Sequence, residues 1–243
     1  MEKPFRSEKI NSLRFESITF AHENHDATLF QADFEFPMND VVWVKSYEGA
    51  GKSTVLQILA GLLAPQHGKY FINDVNVTEM SFEEFLPYRL SIGFSFDYGG
   101  LINNRTVLEN LMLPLEYHKV LPYREAKHRV EGVIKRFEIE KYKNERPAHI
   151  PGRVRKLTCL IRSLIMYPEL LLLDDASVGL GVDNAEMLVE LISELRKEGY
   201  LRHVFLTSYD EKFIGLFDHK IIQIDQSQLF HQSAELEKKA VNL

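Results

Sequence analysis

Residues Val41 to Leu59 constrain this chain more than any other stretch. An apolar run, Val41-Val42-Trp43-Val44, leads into Ser46-Tyr47-Glu48-Gly49-Ala50-Gly51-Lys52-Ser53-Thr54, which is followed by Val55-Leu56-Gln57-Ile58-Leu59. That order predicts strand, glycine-rich turn, then helix, the arrangement in which a backbone wraps phosphate. Glycines let several N–H groups converge on an anion without a Cβ in the way. Lys52 would reach the β/γ-phosphates, Ser53 would supply a hydroxyl to Mg²⁺, and the helix N-terminus would add its positive end. The common pattern has a further glycine where this chain has Ser46. If that position needs positive φ, serine carries about 1–2 kcal/mol of strain; if not, the change is nearly neutral. A chance Gly-Lys-Ser-Thr in a surface turn would lack the flanking strand and helix.

Composition narrows the class. The 243 residues are 45% hydrophobic and 26% charged, enough for one α/β domain with a large core. A net charge of −6 offers no sequence-wide field for nucleic acid. The longest apolar runs, such as Leu170–Leu173, are too short to span a bilayer. The first residues, Met1-Glu2-Lys3-Pro4-Phe5-Arg6, show no secretory apolar region. A lone Cys159 excludes an internal disulfide and fits a reducing compartment. A soluble cytoplasmic protein is expected.

Strands are predicted over 13–20, 28–36, 41–45, 69–73, 90–95, 170–174 and 203–207, with a terminal hairpin over 220–224 and 228–231. Helices are predicted over 52–62, 106–116, 124–137, 152–166 and 184–198. The alternation argues for a mostly parallel core sheet, and the helix-rich middle for a helical lobe at about 99–150 within one domain, 1–243.

Leu170-Leu171-Leu172-Leu173-Asp174-Asp175 is a buried strand ending in carboxylates, of the Walker-B kind, whose Asp holds Mg²⁺. Arg162 to Glu169 before it and Ala176-Ser177-Val178-Gly179-Leu180-Gly181 after it resemble stretches of ATP-binding-cassette (ABC) ATPases, and the resemblance covers nearly the whole chain. It implies a P-loop NTPase fold of the ABC-cassette type, with a mostly parallel core sheet, an antiparallel β subdomain and a helical lobe. It also implies Mg-ATP as ligand, a second cassette paired head-to-tail, an integral membrane permease as partner, and a place on the inner face of the cell membrane.

Position by position, the resemblance leaves many groups altered. The metal-sensing glutamine falls on Asp97, and the signature turn on Ile150-Pro151-Gly152-Arg153-Val154. The catalytic glutamate is Asp175, the D-loop aspartate Gly181 and the switch histidine Ser208. His22 or Phe20 lies nearest the adenine-stacking position. Asp175 is one methylene short, and a misplacement of about 1 Å costs on the order of 10²-fold. Ser208 lacks the charge and reach of histidine. Pro151 removes a hydroxyl and an N–H, while Arg153 either contacts phosphate or is a solvated helix-end arginine. These changes predict ATP bound well and hydrolysed slowly or not at all.

Residues Tyr98 to His118 resemble the permease-gripping stretch of ABC ATPases that drive Mce-type lipid trafficking. Leu108, Leu111, Met112 and Leu115 have the 3–4 spacing of a core-facing helix, but the Gly99-Gly100-Leu101-Ile102 turn calls for another account, contact of residues 99–104 with a permease. A regulator that binds nucleotide without driving transport is the second reading. A kinase or GTPase would need a base or a guanine-reading motif, and the sequence offers neither.

Overall fold

The computed structural model describes residues 8–22, 27–46, 51–97 and 100–232. The elements run β1 (Leu13–Ala21), β2 (Ala27–Glu35), β3 (Val41–Ser46), α1 (Lys52–Leu59), β4 (His67–Ile72), β5 (Val75–Asn76), α2 (Phe82–Arg89), β6 (Ile92–Ser95), α3 (Val107–Tyr117), α4 (Tyr123–Arg136), α5 (Gly152–Leu164), β7 (Leu170–Leu173), α6 (Val182–Lys197), β8 (His203–Leu206), α7 (Glu211–Ile214), β9 (Lys220–Asp225) and β10 (Gln228–Gln232). Two single 3₁₀ turns, Glu140–Tyr142 and Pro147–His149, join α4 to α5.

Six strands form the core sheet in the order β10-β9-β3-β8-β7-β6. All its pairings are parallel except the antiparallel β9–β10 edge. A sheet covered on both faces needs apolar side chains in both directions, which is why Val41–Val44 and Leu170–Leu173 are apolar throughout and buried. Successive residues then serve different layers. Trp43, Leu171, Leu173, Val204 and Leu206 pack against α3 to α6. Val42, Val44, Leu170, Leu172 and Phe205 pack towards α1 and the second sheet. That second sheet, β2-β1-β4-β5, is antiparallel. The expected architecture is therefore present: a mostly parallel core, an antiparallel β layer and a helical layer built from α3, α4 and α5.

Local chemistry sets the boundaries. α1 stops at Leu59, three residues before its predicted end. The Leu62 N–H bonds the Gln57 carbonyl at 2.9 Å and the Gly61 N–H bonds Ile58 at 2.9 Å, a Schellman closure. The strand predicted to start at Leu90 starts at Ile92 because Leu90 caps α2 and the Ser91 N–H bonds the Tyr88 carbonyl at 2.8 Å. α2 and α7 lay outside the predicted elements. α2 opens with a capping box: the Glu84 N–H bonds Ser81 Oγ at 3.3 Å and the Ser81 N–H bonds the Glu84 carboxylate at 2.8 Å. This is a legible Ser-x-x-Glu signal. Thr106 and Glu109 build the same box on α3.

Candidate functional site

The C-terminal ends of β3, β6, β7 and β8 meet the first turn of α1. Ser46 ends β3 in extended backbone and is absent from the left-handed residues, so serine costs no backbone strain there. Its Oγ is buried and has no hydrogen-bond partner among the described residues. Tyr47, Glu48, Gly49 and Ala50 lie outside the described residues, as does the turn 23–26. Gly51 caps α1 in the left-handed region at φ 92°. A Cβ there would stand 2.9 Å from Thr28 Cγ2, so only glycine fits without a shift. Lys52 is buried at 5% exposure, and its ammonium sits 4.0 Å from the centre of the Tyr209 ring. Such a cation–π contact is worth about 0.5–2 kcal/mol.

Ser53 Oγ donates to Asp174 Oδ1 at 2.9 Å, joining the start of α1 to the residue after β7. Thr207, just past β8, donates its hydroxyl to the same oxygen at 2.9 Å and accepts from the Asp175 N–H at 2.7 Å. Strand pairing brings these groups together: Leu173 is opposite both Ser95 and Leu206, so residues that follow the strands share one rim. A hydroxyl beside a carboxylate is a hard-oxygen donor set, the kind Mg²⁺ prefers. Asp97 Oδ1 and Asp175 Oδ1 are buried without hydrogen-bond partners among the described residues, and such oxygens are what a cation's bound waters satisfy. The residues present fit the ion.

Asp175 carries a positive φ of 42°. Burial raises its pKa, and Asp97 and Asp174 raise it further against the opposing pull of Lys156 and Lys52. Asp97 faces this carboxylate and pairs with the Lys156 ammonium at 3.8 Å. No hydrogen bond or ion pair links it to Ser53 or Asp174 among the described residues. Lys156 Nζ also donates to the carbonyls of Asp97, Asp174 and Phe96 at 3.1, 3.3 and 3.4 Å. Burial lowers the Lys156 pKa, with Asp97 the largest opposing influence. Ser208 is buried and its hydroxyl is committed: it shares a 2.6 Å hydrogen bond with Ser177 Oγ and accepts from the Asp210 N–H at 2.9 Å.

His22 is exposed beside α1, with Nε2 3.3 Å from Thr54 Oγ1, whereas Phe20 is buried at 7% exposure. Of the two, only His22 offers a ring face to a ligand. Gly152 and Arg153 stand exposed on the first turn of α5 and share no hydrogen bond or ion pair with the Ser53–Asp174 group among the described residues. Gly181 caps α6 at φ 80°. Sequence reasoning passed over Thr207, Lys156 and Tyr209. For Lys156, a lysine among apolar positions of α5 was a readable signal; the other two carried none.

A groove of about 480 Å³ opens between α2, β6, α3 and α5, lined by Leu86, Phe94, Phe96, Tyr117, Arg162 and Met166 among others. Beside it the turn around Ile102 is pinned from within. Buried Asn110 accepts from the Ile102 N–H at 2.8 Å and donates to the carbonyls of Thr106, Arg105 and Ile102. Arg162 donates to Asn110 Oδ1 at 3.3 Å and to the Gly100 carbonyl. Ile102 itself is 38% exposed.

Comparison with known proteins gives consistent matches. A family model described as "ABC transporter" matches residues 29–178. The lipoprotein-releasing system ATP-binding protein LolD of Buchnera aphidicola subsp. Schizaphis graminum is 31% identical over 206 residues, 84% of this chain and 88% of that protein. The methionine import ATP-binding protein MetN 2 of Enterococcus faecalis is 32% identical over 175 residues, 72% of this chain but 50% of that protein. The alignment thus spans about half the length of the methionine-import relatives. Among solved structures, a dimeric post-hydrolysis state of the ATP-binding cassette MJ0796 bound to ADP and Pi has a TM-score of 0.80 at 22% identity, covering 91% of this chain and 97% of that one. That likeness concerns the fold.

Proposed function

The chain belongs to the ABC transporter family, and from that premise we propose that it is the ATP-binding subunit of a transporter, one that holds Mg-ATP tightly and turns it over slowly. The 2.9 Å hydrogen bond from Ser53 to Asp174 carries the binding half of this reading. It sets a P-loop hydroxyl against the carboxylate at the end of β7, the two groups that would hold the metal. When bound, Mg²⁺ would neutralise phosphate charge and orient the β- and γ-phosphoryl oxygens. The chain's own residues do the rest. Lys52 leaves the Tyr209 ring for phosphate, Gly51 and the first turn of α1 offer N–H groups, and His22 stacks on the base.

Slow turnover follows from competition at Asp175. A raised pKa makes it a better base, but a general base contributes only about 10²–10⁴-fold even when well placed. A shorter carboxylate gives back on the order of 10²-fold by standing away from the water. Ser208 adds nothing to offset this, because its hydroxyl is already bonded to Ser177 and to the Asp210 N–H. Asp97 is paired with Lys156 and acts on the site through charge rather than as a ligand.

Two such chains, or this one and a second cassette, pair head-to-tail around nucleotide, presenting Gly152 and Arg153 to the opposite phosphate. The groove beside Ile102 takes a helical segment of the permease, and the likeness of residues 98–118 to lipid-trafficking ATPases makes a lipid-related cargo the reading of choice. The assembly would sit on the inner face of the membrane.

Steady-state ATPase assays with purified permease test the catalytic half. Turnover well below 1 s⁻¹ is expected, rising at least tenfold in Asp175→Glu. Wild-type rates of about 1 s⁻¹ or more defeat it. Co-purification of the permease should be lost in Ile102→Asp, and retention of the complex in that variant removes the docking assignment.

A further inference from the structure

Lys156 lies in the second turn of α5 and is only 9% exposed. A buried ammonium is costly unless its donors are satisfied, so the identity of its partners is informative. Lysine has three N–H donors, and here three carbonyls accept them: Phe96 at 3.4 Å, Asp97 at 3.1 Å and Asp174 at 3.3 Å. The Asp97 carboxylate, 3.8 Å away, supplies the counter-charge. Two of these carbonyls belong to the segment just after β6. The third belongs to Asp174, whose side chain holds Ser53 and Thr207.

The other end of the same helix is a surface. Pro151, Gly152 and Arg153 are exposed and begin α5 without a side-chain cap. Four helical steps take the chain from Gly152 to Lys156, about 6 Å along the axis. A rigid turn of helix therefore connects the exposed N-terminus to an ammonium anchored on the floor of the nucleotide site. Val154, between them, is buried in the core that also holds Leu173 and Ala176, so the turn moves with its packing or not at all.

The geometry points to Lys156 as a positioning residue that ties the orientation of α5, and with it the Gly152–Arg153 turn, to the state of the magnesium–nucleotide site in its own chain. The inference rests on the reading above that Ser53 and Asp174 hold the metal. When Asp174 turns its carboxylate towards a cation, its carbonyl and the segment after β6 readjust. The ammonium follows because all three of its donors are held there. A readjustment at the floor then reaches the surface that meets a second cassette.

Amide hydrogen exchange on the full chain, read by mass spectrometry with and without Mg-ATP, tests this. In the wild type, Mg-ATP is expected to slow exchange both at residues 51–56 and at residues 150–156. Lys156→Met should keep the protection at 51–56, with nucleotide affinity within about threefold, under 0.7 kcal/mol, and lose the response at 150–156. Lys156→Arg, which keeps the charge and offers more donors, should restore at least half of it. A full response at 150–156 in Lys156→Met overturns the inference, as does a wild type protected only at 51–56. Absence of protection at 51–56 in the wild type removes the nucleotide reading itself, and the inference with it. Should Lys156→Met fail to fold, the wild type decides alone: ATP in EDTA is expected to protect 51–56 but not 150–156, and equal protection of both overturns the assignment.

Discussion

Gly51 and His203 show how a single residue can be required for opposite reasons. Gly51 is favoured by its backbone: at a φ of 92° an L side chain is strained, and its Cβ would also press on the Thr28 γ-methyl at 2.9 Å. Gly51→Ala should weaken Mg-ATP binding at least tenfold, about 1.4 kcal/mol, by fluorescence titration, while the protein remains folded. His203 is required for what its ring does. Its Nδ1 accepts from the Asn39 N–H at 2.8 Å and its Nε2–H donates to the Ile10 carbonyl at 2.7 Å, so only the neutral tautomer satisfies both. Burial pushes its pKa down to about 4, Arg202 and Arg196 adding to the effect while the Ile10 hydrogen bond and Glu169 oppose it. The unfolded chain, with histidine near 6.5, therefore binds more protons than the folded one between pH 4 and 6.5. Stability from this residue is complete above pH 6.5 and is lost as pH falls to 4, by roughly 3 kcal/mol in all. Denaturant titrations at pH 7 and pH 4.5 should show this loss, and His203→Gln should flatten the slope.

At the scale of elements, the contact between β6 and α5 decides whether the site forms. A Cβ on Gly93 would lie 2.1 Å from the Ser163 carbonyl oxygen and 2.9 Å from Pro168 Cγ. Backbone of a central helix cannot yield that distance. Gly93→Ala should cost about 3 kcal/mol or more, at the upper end of overpacking effects. That corresponds to a fall of about 6–12 °C in melting temperature for a chain of this size, measured by calorimetry. The same contact sets the height of β6 against α5, and hence where Asp97 meets Lys156. The capping boxes on α2 and α3 are worth about 1 kcal/mol each and fix where the helices begin. They have no say in what the helices pack against.

For the whole molecule, binding and folding are linked. A ligand at 100 times its dissociation constant stabilises the native state by about 2.7 kcal/mol. Mg-ATP at that excess should raise the melting temperature by about 5–10 °C, and Asp174→Ala should abolish the metal-dependent part of the rise. An unchanged melting curve in saturating Mg-ATP would falsify the nucleotide reading. The candidate site is assembled from the ends of four strands and one helix, so it exists only when the core sheet does.

Sequence alone determined the elements whose signal is local. The doubly buried strands are uninterrupted apolar runs, Gly51 marks the start of the helix that follows β3, and Asp174 stands at the end of an apolar strand. Side-chain period and backbone freedom are properties of neighbouring residues, so they can be read in order along the chain. The tertiary structure decided what those residues meet. Ser208 spending its hydroxyl on Ser177, Thr207 bridging Asp174 and Asp175, Tyr209 covering Lys52, and Lys156 reaching Asp97 across 59 positions all depend on which strand lies beside which. Register between distant strands arises from the packing of the whole core, and no short window of sequence contains it.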